Sequence, residues 1–304
     1  MFCNEACRQA AISDPGSHCN SVCEMIKLCN IEGASDEVVS GLELLCRLCN
    51  LLCAACSGRD PQAESRWSTF WDLSCGNEQY IITNEENKAH FSELIDRFRH
   101  VLSNVSAYVQ QMKNMLINED FIVSLLARDL VNSYGIRAPI VLGDDCGFIR
   151  GTAIYSDASR LNHECLPNVA RYENIDRRDV TEPGRNLWIE FRALFNIPAG
   201  EEVTQSYFPL DWELEDRQTR CREVYGFTCA CPRCCCESHG KIVNLKNEHV
   251  DEGYISIFLI KYLCPDPDCE GTMVPMLDDP EESLICNVCS AKRTEAEFMS
   301  YLEA

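Results

Sequence analysis

Two dense groups of cysteines in the last quarter of the chain constrain its fold more than any other sequence feature. One group combines CPDPDC, with four residues between its cysteines, and the later pair CNVC, with two residues between them. Two cysteine pairs joined by a short arm have the ligand spacing of a tetrahedral zinc ribbon, although chance spacing in a cysteine-rich chain is the alternative. The predicted ligands are Cys264, Cys269, Cys286 and Cys289.

The other group, CACPRC, contributes Cys229, Cys231 and Cys234. Three thiols within six residues cannot all point into an apolar core, so a metal is expected here as well. A structural zinc needs four ligands, and the two cysteines that follow directly are too crowded to complete the set. A distant residue can supply the fourth ligand, and the isolated Cys165 in RLNHECLPNV is available.

The chain has 304 residues, 22 cysteines and a formal net charge of −21. Because it is long and we recognise no secretory signal, its thiols are expected to stay reduced, which favours zinc over disulfides. The acidic charge disfavours a direct nucleic-acid partner and suits a basic protein partner, although acidic faces can simply keep a protein soluble. No apolar run approaches the roughly 20 residues of a membrane span. We therefore expect no membrane partner, and a location in the nucleus, the cytoplasm or both.

Residues 33–135 are predicted to be mostly helical. Apolar residues recur at three- and four-residue spacing in DEVVSGLELLCRLCNLLCAAC and in HFSELIDRFRHVLSNVSAYVQQMKNMLI, and a third helix is expected to end at Gly135. Asp36 is the predicted N-cap of the first helix. Short strands are predicted between residues 137 and 228, in APIVLG, TAIYS, NVARYEN, LWIEFRAL and EEVTQSYF, because turn-forming residues separate these stretches.

Four further cysteines fall at helical spacing along one stripe of the first predicted helix. Cysteine packs well as a small apolar residue, so core packing is the main interpretation and metal binding is the alternative. These residues are Cys46, Cys49, Cys53 and Cys56.

Three motifs, taken together and in this order, carry a resemblance to a known family. SRLNHECLPN resembles the Asn-His-Ser-Cys-x-Pro-Asn signature of SET-domain protein lysine methyltransferases. PAGEEVTQSYF resembles the Gly-Glu-Glu-x-x-x-Ser-Tyr signature that follows it, and YGFTCACPRC resembles the cysteine-rich post-SET segment. The N-terminal cysteines, the helical stretch and the cysteine-rich tail are most similar to the SET-and-MYND (SMYD-like) branch, in particular its plant-type members. The resemblance implies an α+β fold, in which a SET domain of short strands carries a helical insert and cysteine-rich zinc-binding segments.

The resemblance divides the chain into four stretches. These are a partial MYND-type zinc finger at 1–30, a helical insert at 31–136, the C-terminal part of the SET core at 137–228, and a post-SET zinc segment with a C-terminal zinc ribbon at 229–304. We expect the family's N-terminal strands, with the Gly-x-Gly loop that cradles part of the cofactor, to be missing from this chain. The first half of the MYND finger is expected to be missing too.

The candidate ligands of the partial finger belong to two zinc sites in the family. Cys3 and Cys7 match the first site, and Cys23 with Cys19 or His18 matches the second. Two ligands for each zinc are too few for a structural site. Either the finger is degenerate, or these four residues share one metal.

The resemblance also implies roles for individual residues. The expected contacts to S-adenosylmethionine are Asn132, Asn162, His163, Tyr207 and Phe227. Tyr207 is the expected active-site tyrosine, Tyr225 is expected to line the lysine channel, and Phe227 is expected to stack on the adenine. Cys165 is implied to join Cys229, Cys231 and Cys234 around one zinc. Taken singly, Tyr207 would more often be a structural strand-end residue and His163 a core histidine, but the joint order of the motifs favours the functional roles.

Methyl transfer is consistent with these residue types. The reaction needs a neutral lysine amine in line with a sulfonium methyl group, in a site that excludes water. A tyrosine hydroxyl can orient the amine, and aromatic rings suit a cationic ammonium. One departure is Glu164, which stands where the signature has Ser; its side chain is expected to point outward.

The predicted function is that of an S-adenosylmethionine-dependent protein-lysine N-methyltransferase acting on histones. The expected partners are a lysine-bearing protein substrate, a histone, and other proteins bound through the partial MYND finger. The alternative is a non-catalytic SET-like interaction module, which the expected loss of the N-terminal cofactor loop favours.

Overall fold

The computed structural model describes residues 25–29, 31–58, 60–104, 118–137, 149–173, 188–239, 243–245 and 248–303. The chain divides into two compact units. The first comprises Met1–Ser133, Ile154–Ser156 and Glu223–Gly226, and the second comprises Tyr134–Ala153, Asp157–Arg222 and Phe227–Ala304. The predicted finger ligands lie outside the described residues: Cys3, Cys7, Cys19, Cys23 and the alternative His18.

The first unit is built from helices. They are α1 (Asp36–Ser57), α2 (Ala63–Trp71), α3 (Glu78–Thr83), α4 (Glu85–Asn104) and α5 (Glu119–Asn132). The N-cap of α1 is Ser35, whose side chain accepts a hydrogen bond from the Val38 amide, and not the predicted Asp36. Asp36 is instead the first helical residue, where its negative charge is favourable beside the helix N-terminus. The third predicted helix, α5, ends before Gly135 because Ser133 already has an extended backbone.

The core of the first unit forms around α1. Ten of its side chains are buried, and eight of them pack with apolar residues of α4 and α5. Cys46, Cys49 and Cys53 belong to this core, whereas Cys56 is exposed. Among the described residues, no group of three or more metal-ligating side chains includes any of these four, so core packing accounts for the three buried ones.

α1 also tests the expectation that no segment resembles a membrane span. By length and composition it is apolar enough to cross a membrane, with a mean hydropathy of 1.6 over its most apolar window. More than half of that window, 56%, is buried inside the protein. The core position of α1 therefore accounts for its apolar composition.

Short strands follow α5. They are β1 (Ser133–Arg137), β2 (Ile149–Ile154), β3 (Asn162–His163), β4 (Val169–Glu173), β5 (Ile189–Ala193) and β6 (Thr204–Gln205). β1 pairs with β2, β4 pairs with β5 in antiparallel fashion, and β3 pairs with β6 in parallel. The strands predicted in TAIYS, NVARYEN and LWIEFRAL are confirmed, the one in EEVTQSYF is reduced to β6, and APIVLG lies outside the described residues.

The C-terminal part of the second unit carries the cysteine groups. Its elements are α6 (Leu214–Arg220), α7 (Pro232–His239), β7 (Val243–Leu245), β8 (Glu248–Val250), α8 (Glu252–Tyr262), β9 (Met273–Met276), β10 (Asp279–Cys286), β11 (Lys292–Thr294) and α9 (Glu295–Leu302). β9, β10 and β11 form an antiparallel sheet with β10 in the centre. α9 begins with a capping box between Thr294 and Glu297, which satisfies amides of its first turn.

Candidate functional site

The parallel pairing of β3 with β6 joins the two motifs that the sequence separates by about forty residues. Asn162 pairs with Thr204, His163 pairs with Gln205, and the Glu164 amide donates to the Gln205 carbonyl over 2.9 Å. The motif SRLNHECLPN and the motif PAGEEVTQSYF therefore cross at one point of the second unit.

Asn168 strengthens this crossing. Its side-chain oxygen accepts a hydrogen bond from the Thr204 amide at 2.8 Å, and its side-chain nitrogen donates to the Glu202 carbonyl at 2.8 Å. Asn168 is a residue for which the sequence motifs did not indicate a role. Its place in the motif Pro-Asn was the available signal, but a sequence does not show which backbone groups a buried amide will satisfy.

His163 connects this crossing to the first cysteine group. Its Nδ1 accepts a hydrogen bond from the Tyr207 amide at 3.2 Å, and its Nε2 lies 3.2 Å from Cys165 Sγ. Because Nδ1 accepts, the proton of the neutral ring is on Nε2, which donates to the sulfur. His163 thus positions both Tyr207 and Cys165.

Tyr207 is held at both ends. Besides its amide contact to His163, its hydroxyl donates to the Leu161 carbonyl at 2.9 Å. The centre of its ring lies 5.2 Å from the His163 ring, and the Phe227 ring lies 6.2 Å from His163. The three half-buried rings form an aromatic cluster beside the crossing.

This cluster lines a pocket of about 440 Å³. The pocket is bounded by Asn162, His163, Glu164 and Tyr207 on the two motifs, and by residues 227–232 of the cysteine-rich segment. Its volume lies in the range typical of small-molecule sites. Four of the five expected cofactor contacts therefore line one cavity of the second unit.

Three of the expected site residues have surroundings that the motifs did not indicate. Asn162 is exposed, and its side-chain amide donates to Glu202 at 2.6 Å. Asn132 belongs to the first unit, where it is buried and donates to the carbonyls of Ser74 and Arg128 at 2.8 and 2.7 Å. Tyr225 also belongs to the first unit and is half-buried.

The first cysteine group has the geometry of a tetrahedral metal site. The Sγ atoms of Cys165, Cys229, Cys231 and Cys234 all lie within 4.8 Å of one another, and all four residues are buried. Cys165 Sγ is 3.9 Å from Cys229 Sγ and 3.6 Å from Cys234 Sγ. Zinc with Zn–S bonds of about 2.3 Å places tetrahedral sulfurs roughly 3.8 Å apart. These four thiols can therefore bind zinc.

Comparison with known proteins decides the family. A family model described as SET domain matches residues 22–208, which is more than half of the chain. This chain belongs to the SET-domain family. Its relatives include proteins named for SET and MYND domains, which confirms the resemblance to the SMYD-like branch. The expected α+β fold with two cysteine clusters that can bind zinc is confirmed as well.

Three relatives illustrate the extent of the similarity. Histone-lysine N-methyltransferase ASHR2 of Arabidopsis thaliana is 30% identical over 214 residues, which are 59% of this chain and 53% of that protein. A SET and MYND domain-containing protein of Dictyostelium discoideum is 28% identical over 232 residues, 69% of this chain and 53% of that protein. N-lysine methyltransferase SMYD2 of Bos taurus is 30% identical over 157 residues, 51% of this chain and 32% of that protein. The chain spans about half the length of the first two relatives and about a third of the last.

The thiols of the first cysteine group cannot all be ionised without a nearby positive charge. The hydrogen bond with Cys229 raises the pKa of the Cys165 thiol, and the same contact lowers the pKa of Cys229. Opposite shifts at neighbouring sulfurs mean that ionising one thiol disfavours ionising the next. A divalent cation would remove this conflict, since its charge stabilises several thiolates at once.

Glu164 of the SET domain does not point outward as expected. It is half-buried, and its Oε1 is buried without a hydrogen-bond partner among the described residues. Burial raises the pKa of its carboxyl to about 7, although a hydrogen bond from Cys231 acts in the opposite direction. Its backbone amide donates to the Gln205 carbonyl next to the β3–β6 pairing. This hydrogen bond fixes the backbone so that the side chain lies toward the cysteine-rich segment.

The second cysteine group forms a separate site at the sheet of β9, β10 and β11. Cys264 Sγ is 3.4 Å from Cys289 Sγ, and Cys269 Sγ is 3.7 Å from Cys286 Sγ. All four sulfurs lie within 4.8 Å of one another. The amides of Val288 and Cys289 donate to Cys286 Sγ at 3.3 and 3.4 Å. Such donors stabilise a thiolate, so this group can bind zinc too.

Proposed function

We propose that this chain carries the methyl-transfer site of an S-adenosylmethionine-dependent protein-lysine N-methyltransferase. The observation that supports this most is the pairing of β3 with β6, because it places Asn162, His163 and Tyr207 at one pocket with Phe227. The relatives named as histone-lysine and N-lysine methyltransferases support the same reaction. The contacts of Asn132 and Tyr225 with cofactor and substrate are part of this proposal, as is the division into partial finger, helical insert, SET core and zinc segments.

Each pocket residue has a distinct task in this reaction. When bound, S-adenosylmethionine supplies a methyl group on a positively charged sulfur, which an uncharged lysine amine can accept. Phe227 offers a ring face to the adenine. The Tyr207 hydroxyl donates a hydrogen bond to the Leu161 carbonyl, so its oxygen keeps a lone pair that can accept an amine N–H. That contact orients the nitrogen lone pair for the in-line approach that methyl transfer requires.

The metal centres have a structural task. We propose zinc at both, because thiolates at these spacings match a tetrahedral site. Zinc at the first centre would hold Cys229 and Cys231, which line the pocket, to Cys165 beside His163. The cysteine-rich segment would thereby stay closed over the cofactor.

The substrate proposal rests on charge and on the relatives. A net charge of −21 suits a basic protein segment, and histones are of this kind. The relative from Arabidopsis thaliana is named a histone-lysine N-methyltransferase. We propose histones as the substrate class, further proteins as partners of the partial MYND finger, and the nucleus, the cytoplasm or both as the location.

Calorimetric titration with S-adenosylmethionine tests the proposal. The wild-type protein is expected to bind it, and Phe227→Ala is expected to weaken binding by at least tenfold, about 1.4 kcal/mol. Phe195→Ala is the matched control, since Phe195 is 42% exposed and is not among the residues that line the pocket. Failure of the wild type to bind would contradict the proposal and leave a non-catalytic interaction module. Equal losses for both variants would mean that the pocket is not the cofactor site.

A further inference from the structure

A buried guanidinium lies beside the first cysteine group. Arg217 of α6 has 1% of its surface exposed. Its Nη1 donates to the Trp212 carbonyl, and its Nη2 donates to Glu237 and lies 3.8 Å from Cys234 Sγ. A positively charged side chain is rarely buried unless negative charge lies nearby. The Trp212 carbonyl carries no net charge, so the negative charge around Arg217 has to come from other groups.

The negative charge of Glu237 is shared between Arg217 and a second arginine. Its other carboxylate oxygen accepts a hydrogen bond from Arg233 Nε at 2.7 Å, and Arg233 is 4% exposed. One carboxylate thus faces two buried guanidinium groups, which leaves an excess of one positive charge. A zinc ion with four thiolate ligands carries an excess of two negative charges. The contact between Arg217 and Cys234 places this excess positive charge beside the thiolates.

We propose that Arg217 is a positioning residue for zinc at the Cys165 centre. Its N–H group donates to the Cys234 thiolate, and its charge offsets part of the negative charge of the tetrathiolate. The inference rests on the proposal that these four thiols bind zinc. It predicts that a residue that is not itself a ligand contributes to the affinity of the centre for its metal, as outer partners of metal sites commonly do.

A purely structural role for Arg217 would be shared by Arg233. Both arginines are buried, both pair with Glu237, and Arg233 also donates to the carbonyls of Leu210 and Trp212, at 2.6 and 3.4 Å. The described hydrogen bonds of Arg233 end on oxygen atoms, whereas Arg217 also reaches a sulfur. A comparison of the two positions therefore separates zinc retention from general stability.

The experiment compares Arg217→Met, Arg217→Lys and Arg233→Met in the full chain loaded with zinc. Zinc release is followed while a chromogenic chelator is added, and thermal unfolding is recorded in parallel. Arg217→Met is expected to release one zinc at about tenfold to a hundredfold lower chelator concentration, while the zinc of the second centre is retained as an internal reference. Arg217→Lys, which keeps the charge, is expected to recover most of this loss. Arg233→Met is expected to lower the melting temperature without changing zinc release.

Three outcomes of this experiment would overturn the inference. Equal zinc release by Arg217→Met and Arg233→Met would mean that Arg217 only supports the fold, and wild-type release by Arg217→Met would mean that it does not affect the metal. If the wild-type protein binds zinc at the second centre and not at the Cys165 centre, both the inference and the assignment of zinc to that centre are wrong. Binding of S-adenosylmethionine is measured separately, so failure of the proposed function is distinguishable from all three.

A measurement on wild-type protein covers the case in which Arg217→Met does not fold. Zinc is replaced by ¹¹³Cd, and the guanidinium protons of Arg217 are examined by nuclear magnetic resonance. An N–H···S hydrogen bond to a cadmium-bound thiolate transmits scalar coupling from the metal to the proton. Coupling at Arg217 would support the proposal, and its absence in a folded, cadmium-loaded protein would overturn it.

Discussion

Tyr207 makes two hydrogen bonds to the motif that precedes it by about forty residues, one from its amide and one from its hydroxyl. The amide bond holds the backbone, and of these two bonds it is the hydroxyl bond that depends on the tyrosine oxygen. Removal of that oxygen should therefore affect the orientation of a substrate amine more than the fold.

We expect Tyr207→Phe to methylate histones at least tenfold more slowly than the wild type, about 1.4 kcal/mol in barrier height. Loss of the hydrogen bond to Leu161 should cost at most about 1 kcal/mol of unfolding free energy. Transfer of a tritiated methyl group to histones measures the rate, and Tyr301→Phe is the control, because Tyr301 is 67% exposed. Equal rates for the Tyr207 variant and the wild type would place the active site elsewhere.

Glu164 offers a prediction about stability. Its buried Oε1 has no hydrogen-bond partner among the described residues, and such an atom typically costs about 1–3 kcal/mol. Glu164→Ser, the residue of the family signature, is expected to raise the free energy of unfolding by about 1 kcal/mol after some loss of packing. Chemical denaturation of the zinc-loaded protein measures this. Glu164→Gln keeps a buried polar atom and should gain less; a Ser variant less stable than the wild type would refute the argument.

Sequence patterns predict some residue roles and miss others for a physical reason. The ribbon thiols follow from local ligand spacing, and Cys165 follows from the order of three motifs. Arg217 has no such signal. Arg220, three residues later in the same helix, is exposed, so the chemical identity of a residue does not reveal which arginine will be buried. Tertiary packing decides that, and Glu164 was misjudged for the same reason.

At the scale of elements, the length of a pattern determined how well it could be predicted. The predicted bounds of α1 agree with the structure nearly to the residue, because its apolar stripe repeats over 22 residues. The strand expected in EEVTQSYF is only two residues long because side chains occupy its neighbouring backbone groups. The Asn168 side chain donates a hydrogen bond to the Glu202 carbonyl, and the His163 side chain accepts one from the Tyr207 amide. Side-chain bonds of this kind compete with strand pairing, and periodicity cannot predict them.

The turn before β9 provides a prediction at this scale. A Cβ atom added at Gly271 would contact Cys286 Sγ and would lie 3.1 Å from Cys269 Sγ. Gly271→Ala should therefore displace a ligand of the second centre and weaken its zinc binding by about tenfold to a hundredfold. Chelator competition measures this. Gly151→Ala is the matched control, since a Cβ atom there has no neighbour within 4 Å. Unchanged zinc retention in Gly271→Ala would show that the thiols do not share a metal.

At the scale of the whole chain, metal and cofactor binding should be linked through one centre and not through the other. Cys165 contacts His163 at the pocket, whereas the second centre lies on the sheet of β9, β10 and β11. We expect Cys165→Ser to lose one zinc and to bind S-adenosylmethionine at least tenfold more weakly, about 1.4 kcal/mol.

Cys264→Ser is the control for this linkage. It should also lose one zinc, but its affinity for S-adenosylmethionine should stay that of the wild type. Elemental analysis and calorimetry on the same preparations give both quantities. A Cys165 variant that has lost its zinc and still binds the cofactor with unchanged affinity would break the proposed link.

The two centres differ in how far apart along the chain their ligands lie. Cys165 is separated by 64 and 69 residues of sequence from the cysteines whose sulfurs it approaches. In the second centre the corresponding separations are 25 and 17 residues. A longer loop loses more entropy on closure, and distant contacts form more slowly. During synthesis the ribbon can capture its metal as soon as its own short segment is complete. The Cys165 centre joins ligands that lie far apart in the sequence, so we expect it to capture its metal more slowly than the ribbon once both segments are complete.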